Sequence, residues 1–295
     1  VPKSSSKPKS EYAIQTVTNA LRMLEVFQAE SEIGVSELAR QLGLHKNNAF
    51  RLLATLELAG YMQQTPSTEL YHLGPKCLEL GHAFARSHTL MNQARPVLEE
   101  LAQEVGETAH LGVLSGRQVV HLDGVLPDQL VLTGLRVGER LDAHCTALGK
   151  ALLAGELANR SLPGLALDGE WGSPSRSSAS SGAPGQGLQT SAALAEELAE
   201  ADLTRYTEAT LVDHVKLLDD LRVVQLRGYA TDLEEFAQGV HCVAAPVRDA
   251  SARVVAALSL SGPSLRLAEE KLHGAVASAV GAAANRLSHE LGSPV

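Results

Sequence analysis

Residues 35–61 read VSELARQLGLHKNNAFRLLATLELAGY, and the spacing within them decides the fold. Glu37, Leu38 and Ala39 open a short helix that carries Leu42, Gly43 breaks the run, and a second helix begins around residues 45–48. Ala49, Leu52, Leu53 and Leu56 recur at three and four residues and so line one face of that second helix. The opposite face presents Asn47, Asn48, Arg51 and Thr55, short polar or cationic groups suited to base edges and phosphates. A plain helical hairpin has the same periodicity, so the flanking segments decide between the two. Downstream, residues 62–64 and 70–73 predict two short strands around a Pro-Ser-Thr-Glu turn. Helix, turn, helix and hairpin make a winged helix-turn-helix, whose second helix enters the major groove. Upstream, Val17, Ala20, Leu21, Leu24 and Phe27 keep a helical period over residues 16–29 and supply a third wall. Residues 1–14 read as a disordered tail whose three lysines either graze DNA or only solubilise.

Charge limits the ways in which nucleic acid is met. The formal net charge is -9, which excludes wrapping by general electrostatics. Residues 1–85 hold eight basic and eight acidic groups, so the excess acid lies entirely in the remainder. The neutral part can bind DNA where its bases concentrate, and Lys46 and Arg51 sit at the reading helix. One small reader buries little surface, so operator affinity implies a homodimer or homotetramer on repeated half-sites.

At 295 residues, with a shift in composition near residue 90, the chain reads as two domains. No apolar run reaches membrane-spanning length and no secretion signal opens the sequence, which predicts no membrane association. Cys77, Cys145 and Cys242 are far apart and match no metal or disulfide framework, which suits a reducing cytoplasm. Residues 74–89 predict a linker helix with Pro75 in its first turn, joining the reader rigidly to the second domain. Residues 90–295 then form an α/β domain: a helix over 91–105, strands over 108–115, 118–125 and 130–135, and a helix from Cys145 with Thr146 as its cap. Residues 168–190, dominated by Gly, Ser and Pro, read as a flexible loop. Helices come next over 194–206 and 211–227, then strands over 229–231, 242–247 and 254–261, and closing helices over 264–287. The expected architecture is an antiparallel sheet with helices on one side.

The chain resembles the IclR family of bacterial transcription regulators. The matching pieces are the reader at 35–61, YHLG at 71–74, HCTALGKALLA at 144–154, RGYATDLEEFAQGVHCVAAPVRD at 227–249 and VVAALSLSGP at 254–263. In order and spacing they cover nearly everything from residue 15 onward. The resemblance implies a dimer, often a dimer of dimers, in which a winged helix-turn-helix joins a GAF-like domain that binds a small, usually acidic metabolite. Two departures stand out. The reading helix carries Asn47-Asn48 where the family usually has Ser followed by Thr or a small residue, and the 168–190 segment is longer than usual.

Carried over by position, the family's effector pocket would be lined by Leu130, Ala147, Leu148, Asp232, Val240, Cys242, Ser259 and Ser261. Ser259 and Ser261 are two apart on one strand and share a face. Amides near Ala147 and Leu148, at a helix start, would meet a carboxylate without any Arg or Lys. Asp232 beside an anionic ligand requires either protonation or a donor to its carboxylate. Against this, the serines would merely satisfy a sheet edge and Cys242 would merely fill core. No catalytic set emerges: Cys145 beside His144 and Cys242 beside His241 are adjacent in sequence, and neighbours in a strand point apart. His110, His121 and His144 would make a metal site only if they met in space. The expectation is therefore a non-enzymatic regulator with no cofactor and no metal. Its operator affinity responds to a small organic acid, or its second domain only oligomerises.

Overall fold

The computed structural model describes residues 13–87, 89–129, 133–161, 198 and 200–294. The chain divides into two compact units, residues 1–88 and 89–295. Most of the expected tail at 1–14, the 168–190 loop and Leu130 lie outside the described residues.

In the first unit, α1 (Gln15–Glu25) runs into a 3-10 turn (Val26–Gln28), followed by α2 (Val35–Leu42) and α3 (Lys46–Leu58). Gly43 closes α2 at φ 66°, a left-handed conformation that costs glycine no steric strain. Strands β1 (Met62–Gln64) and β2 (Tyr71–Leu73) pair antiparallel, with Met62 opposite Leu73. α4 (Pro75–Ser87) begins with the expected proline. Met23, Phe27, Ile33, Leu38, Ala49, Leu53, Met62 and Tyr71 form one core. Here α1 departs from its sequence pattern. Val17 and Leu21, expected to face inward, are 52% and 56% exposed, whereas Phe27 and Leu24 join the core as expected and Met23, outside the expected set, is fully buried.

The second unit opens with α5 (Thr89–Val105), followed by the hairpin of β3 (Thr108–Ser115) and β4 (Gln118–Val125). Then come β5 (Arg140–Asp142), α6 (Ala147–Ser161), α7 (His214–Arg227), β6 (Ala230–Leu233), β7 (Val240–Arg248) and β8 (Val254–Pro263). A helical turn (Glu269–Lys271) and a π turn (Leu272–Val276) lead into α8 (Ala277–Glu290). Among the described residues the strands make one antiparallel sheet in the order β5-β4-β3-β8-β7-β6.

Helices cover both faces of this sheet rather than one. Ala256, Leu258 and Leu260 of β8, with Val243, Ala245 and Val247 of β7, pack in one core with buried residues of α5 and α8. The alternate residues Ala257 and Ala244 pack in a second core with α6 and α7. Period-2 alternation with small residues on the second face makes room for that second layer. Three more expectations change. Residues 133–135 are not a strand, and the edge strand is Arg140–Asp142 instead. Residues 202–206 are not helical, and α7 starts at His214, where the Asp213 carboxylate accepts from the amides of Val215 and Lys216. β6 runs through Asp232 instead of stopping before it, so that Asp232 lies opposite Cys242.

No helix among the described residues is long and apolar enough to cross a membrane.

Candidate functional site

Each unit contributes one candidate site. On α3, His45 caps the helix, its Nδ1 accepting from the Asn47 amide at 3.4 Å, which puts Asn47 and Asn48 in the first turn. Lys46, Asn47, Asn48, Arg51 and Thr55 are all exposed, while Ala49 and Leu53 are buried. Leu52 and Leu56 pack against the core, so the helix presents its polar face outward as its periodicity predicts. The Thr55 hydroxyl donates to the Arg51 carbonyl at 2.8 Å, which leaves its oxygen as an acceptor. Among the described residues Lys46 and Arg51 are in no ion pair, whereas Arg40 is tied to Glu37. Sequence reasoning missed Phe50, which is 55% exposed one turn after Asn47. Its signal was available, since Phe50 falls outside the 49/52/53/56 stripe. The wing residues 62–73 carry no Lys or Arg, so the bases of this surface are those of α3.

In the second unit a cavity of about 320 Å³ opens between the sheet and the start of α6. Its wall includes Ala147, Leu148, Asp232, Val240, Cys242, Ser259 and Ser261, the described members of the sequence-derived lining. Sheet register explains the grouping. Ser261 lies opposite both Thr108 and Cys242, and Cys242 opposite Asp232, forming one cross-strand row; His110 lies opposite Ser259 in the next.

The α6 terminus is held close by Gly149. A Cβ there would stand 2.1 Å from the Ala143 carbonyl oxygen, so only glycine lets the preceding 3-10 turn (Ala143–Cys145) pack against the helix. Thr146 caps α6, its hydroxyl accepting from the Gly149 amide at 3.1 Å and its carbonyl from the Lys150 amide at 2.9 Å. Ala147 and Leu148, whose amides in the first turn of α6 have no intrahelical acceptor, line the cavity. That is a place for an anion.

Asp232 is 2% exposed. Burial, aided by the nearby Glu235 charge, pushes its carboxyl up to about 7, although Oδ1 accepts from the amides of Glu235 (2.7 Å) and Phe236 (3.4 Å). Both remedies foreseen for a carboxylate beside an anion are therefore present. Behind it, the buried Lys150 ammonium pairs with Glu235 at 2.6 Å and Asp220 at 2.9 Å, joining α6, α7 and the segment after β6. Burial opposes that charge, but the two carboxylates outweigh it and raise the ammonium's pKa.

Ser259 and Ser261 satisfy no sheet edge, because β8 is an interior strand. The Ser261 hydroxyl instead meets the Thr133 hydroxyl at 2.9 Å. Cys242 both lines the cavity and packs in the α6–α7 core; burial raises its thiol well above the ordinary range. Arg136, which the sequence reading did not include, also stands on the wall, its guanidinium 5.1 Å from the Phe236 ring centroid and bonded to Glu139 at 2.9 Å.

Sequence reasoning also missed the role of His110 and His121, both cavity-lining, with ring centroids 5.4 Å apart. His144 is not with them; its ring bonds the Thr204 carbonyl at 3.0 Å. Among the described residues no group of His, Cys, Asp and Glu is arranged to hold a metal ion.

Comparison with known proteins assigns the family. The IclR helix-turn-helix domain model matches residues 16–66, and that of the bacterial transcriptional regulator IclR C-terminal domain matches residues 82–162 and 186–289. The chain belongs to the IclR family. It is similar to the HTH-type transcriptional regulator XynR of Escherichia coli, 34% identical over 262 residues, spanning 88% of this chain and 90% of that one. The crystal structure of the Thermotoga maritima IclR superposes with a TM-score of 0.67 at 26% identity, covering 95% of this chain and all of that one. The fold is shared by an IclR homolog from Microbacterium hydrocarbonoxydans complexed with 4-hydroxybenzoate, with a TM-score of 0.72, 23% identity, and 94% and 98% of the two chains covered. As an IclR-family protein the chain is a DNA-binding transcription regulator and not an enzyme.

Proposed function

We propose that this regulator reads duplex operator DNA through Asn47, Asn48 and Arg51 of α3, with Lys46 and Thr55 on the backbone, and that a small organic acid in the α6 cavity changes its operator affinity. The observation that carries the effector reading is that Ala147 and Leu148, in the first turn of α6 where amides lack an intrahelical acceptor, line one cavity with Ser259, Ser261 and Arg136. An acid seated there would bridge α6 and the sheet, with residues 90–295 serving as the effector-binding, oligomerising domain. The 4-hydroxybenzoate complex of the Microbacterium homolog supports an acid as the ligand class.

A homodimer or homotetramer is the working form in this reading. Ile14 at the cap of α1, with Val17 and Leu21 on it, are 67%, 52% and 56% exposed and lie along one side, a surface that a second copy would cover. The compartment is the cytoplasm, where operator DNA is available to a bacterial regulator.

The test is a thermal-shift screen of aliphatic and aromatic carboxylates against the full chain. A hit whose stabilisation is lost in the Ser259→Ala/Ser261→Ala double variant supports the site. A hit undiminished by that change moves the pocket elsewhere, and no hit across a broad panel favours a ligand-independent regulator that uses this domain only to oligomerise.

A further inference from the structure

His110 and His121 are 3% and 4% exposed, and both face the cavity. His110 Nε2 and His121 Nδ1 are buried without a hydrogen-bond partner. The backbone of Gly134 beside the His110 ring, and that of Glu139 beside the His121 ring, favour a ring N–H on the nitrogen that faces them. A ring N–H directed at a carbonyl leaves the other nitrogen as a lone pair, so both unpartnered atoms are acceptors. Burial and the proximity of Arg136 hold both rings in the neutral form, His110 down to about 3. The pair therefore does not become cationic to receive an anion. It offers two acceptors with nothing donating to them, a costly arrangement when desolvated.

The chemistry of this part of the wall is thus opposite to that of the α6 terminus. The first turn of α6 presents N–H donors and suits a carboxylate; the histidine pair presents lone pairs, opposes a carboxylate and leaves an apolar group's neighbours unpaired. A hydroxyl donates what the histidines lack, while a cationic amine is opposed by Arg136 on the same wall. We infer that the effector is a hydroxylated carboxylic acid, its carboxylate at the Ala147 and Leu148 amides and a hydroxyl donating to the His110–His121 pair. This rests on the organic-acid reading above and narrows it. It also makes the two histidines the residues that set effector specificity.

The experiment is calorimetric titration of the full chain with matched acids that differ in hydroxylation: 4-hydroxybenzoate against benzoate, glycerate against propanoate and gluconate against hexanoate. In at least one pair the hydroxylated acid is expected to bind about tenfold tighter or more, since its partner leaves buried acceptors unpaired. In His110→Leu and His121→Leu that ratio should fall to within about twofold while the deoxy acid still binds, and His121→Gln should keep part of it. The unmutated chain gives an independent reading by nitrogen NMR of labelled histidine. The unprotonated ring nitrogens should shift on adding the hydroxylated acid and not its partner.

Equal affinity within every pair that binds, or a preference that survives both Leu variants, overturns this inference and leaves the organic-acid reading standing. No binding by any of the acids overturns the organic-acid reading and this inference with it.

Discussion

Asp232 shows how a single residue couples the cavity to pH. Its carboxyl, raised to about 7 first by burial and then by Glu235, stays protonated in the folded chain where an unfolded aspartate has already ionised. The folded state then binds the extra proton, so this contribution is complete at low pH and is lost as pH rises toward 7. The slope is at most about 1.4 kcal/mol per pH unit. In urea titrations from pH 5 to 7.5, Asp232→Asn is expected to flatten that decline; an unchanged pH profile contradicts the assignment. Effector binding has the same sign, because an anion prefers its neighbour neutral. Affinity for a carboxylate should weaken above pH 7 by up to about tenfold per unit, and Asp232→Asn should remove the trend. On α3, Arg51→Ala should lose at least about 1 kcal/mol on a cognate operator if it makes a bidentate base contact, whereas Lys46→Ala should weaken cognate and random duplex alike. Operator titration at fixed salt separates the two.

Among the elements, α3 was legible because one amphipathic helix writes its own period, and Gly43 marks the end of the helix before it. The cavity was only half legible. Ser259 and Ser261 share a strand face, which is a local fact. The meeting of His110 and His121 needs the hairpin register across Gly116, where Gly112 pairs with His121. That register was within reach, since partners across an antiparallel pair share a face and His110 shares one with Gly112. Arg136 was not legible, because it comes from a non-strand segment read as following an apolar strand at 130–135. The true edge strand, Arg140–Asp142, hid behind its charges. Lys150 belongs to this scale too. It ties α6 to α7 and to Glu235, so Lys150→Met should leave carboxylates uncompensated and cost about 3 kcal/mol or more in chemical denaturation. A loss under about 1 kcal/mol would show that the pairs are dispensable.

For the whole molecule, the acidic second unit and the nearly neutral first unit divide the work: one holds a cavity for a small ligand, the other exposes α3. Sedimentation of the full chain at micromolar concentration should show a dimer or tetramer, and a monomer alone, with or without operator, contradicts that assembly. An effector changes operator affinity only if it favours one arrangement of the readers over another. The most direct test is therefore operator affinity itself. It would be measured by fluorescence anisotropy on a duplex selected from a random pool, at fixed salt, with and without a saturating acid whose binding calorimetry has established. The expected result is a change in Kd of about fivefold or more in the unmutated chain, absent in the Ser259→Ala/Ser261→Ala variant. A bound acid that leaves Kd unchanged, or an equal change in the variant, would contradict a regulator governed through this cavity.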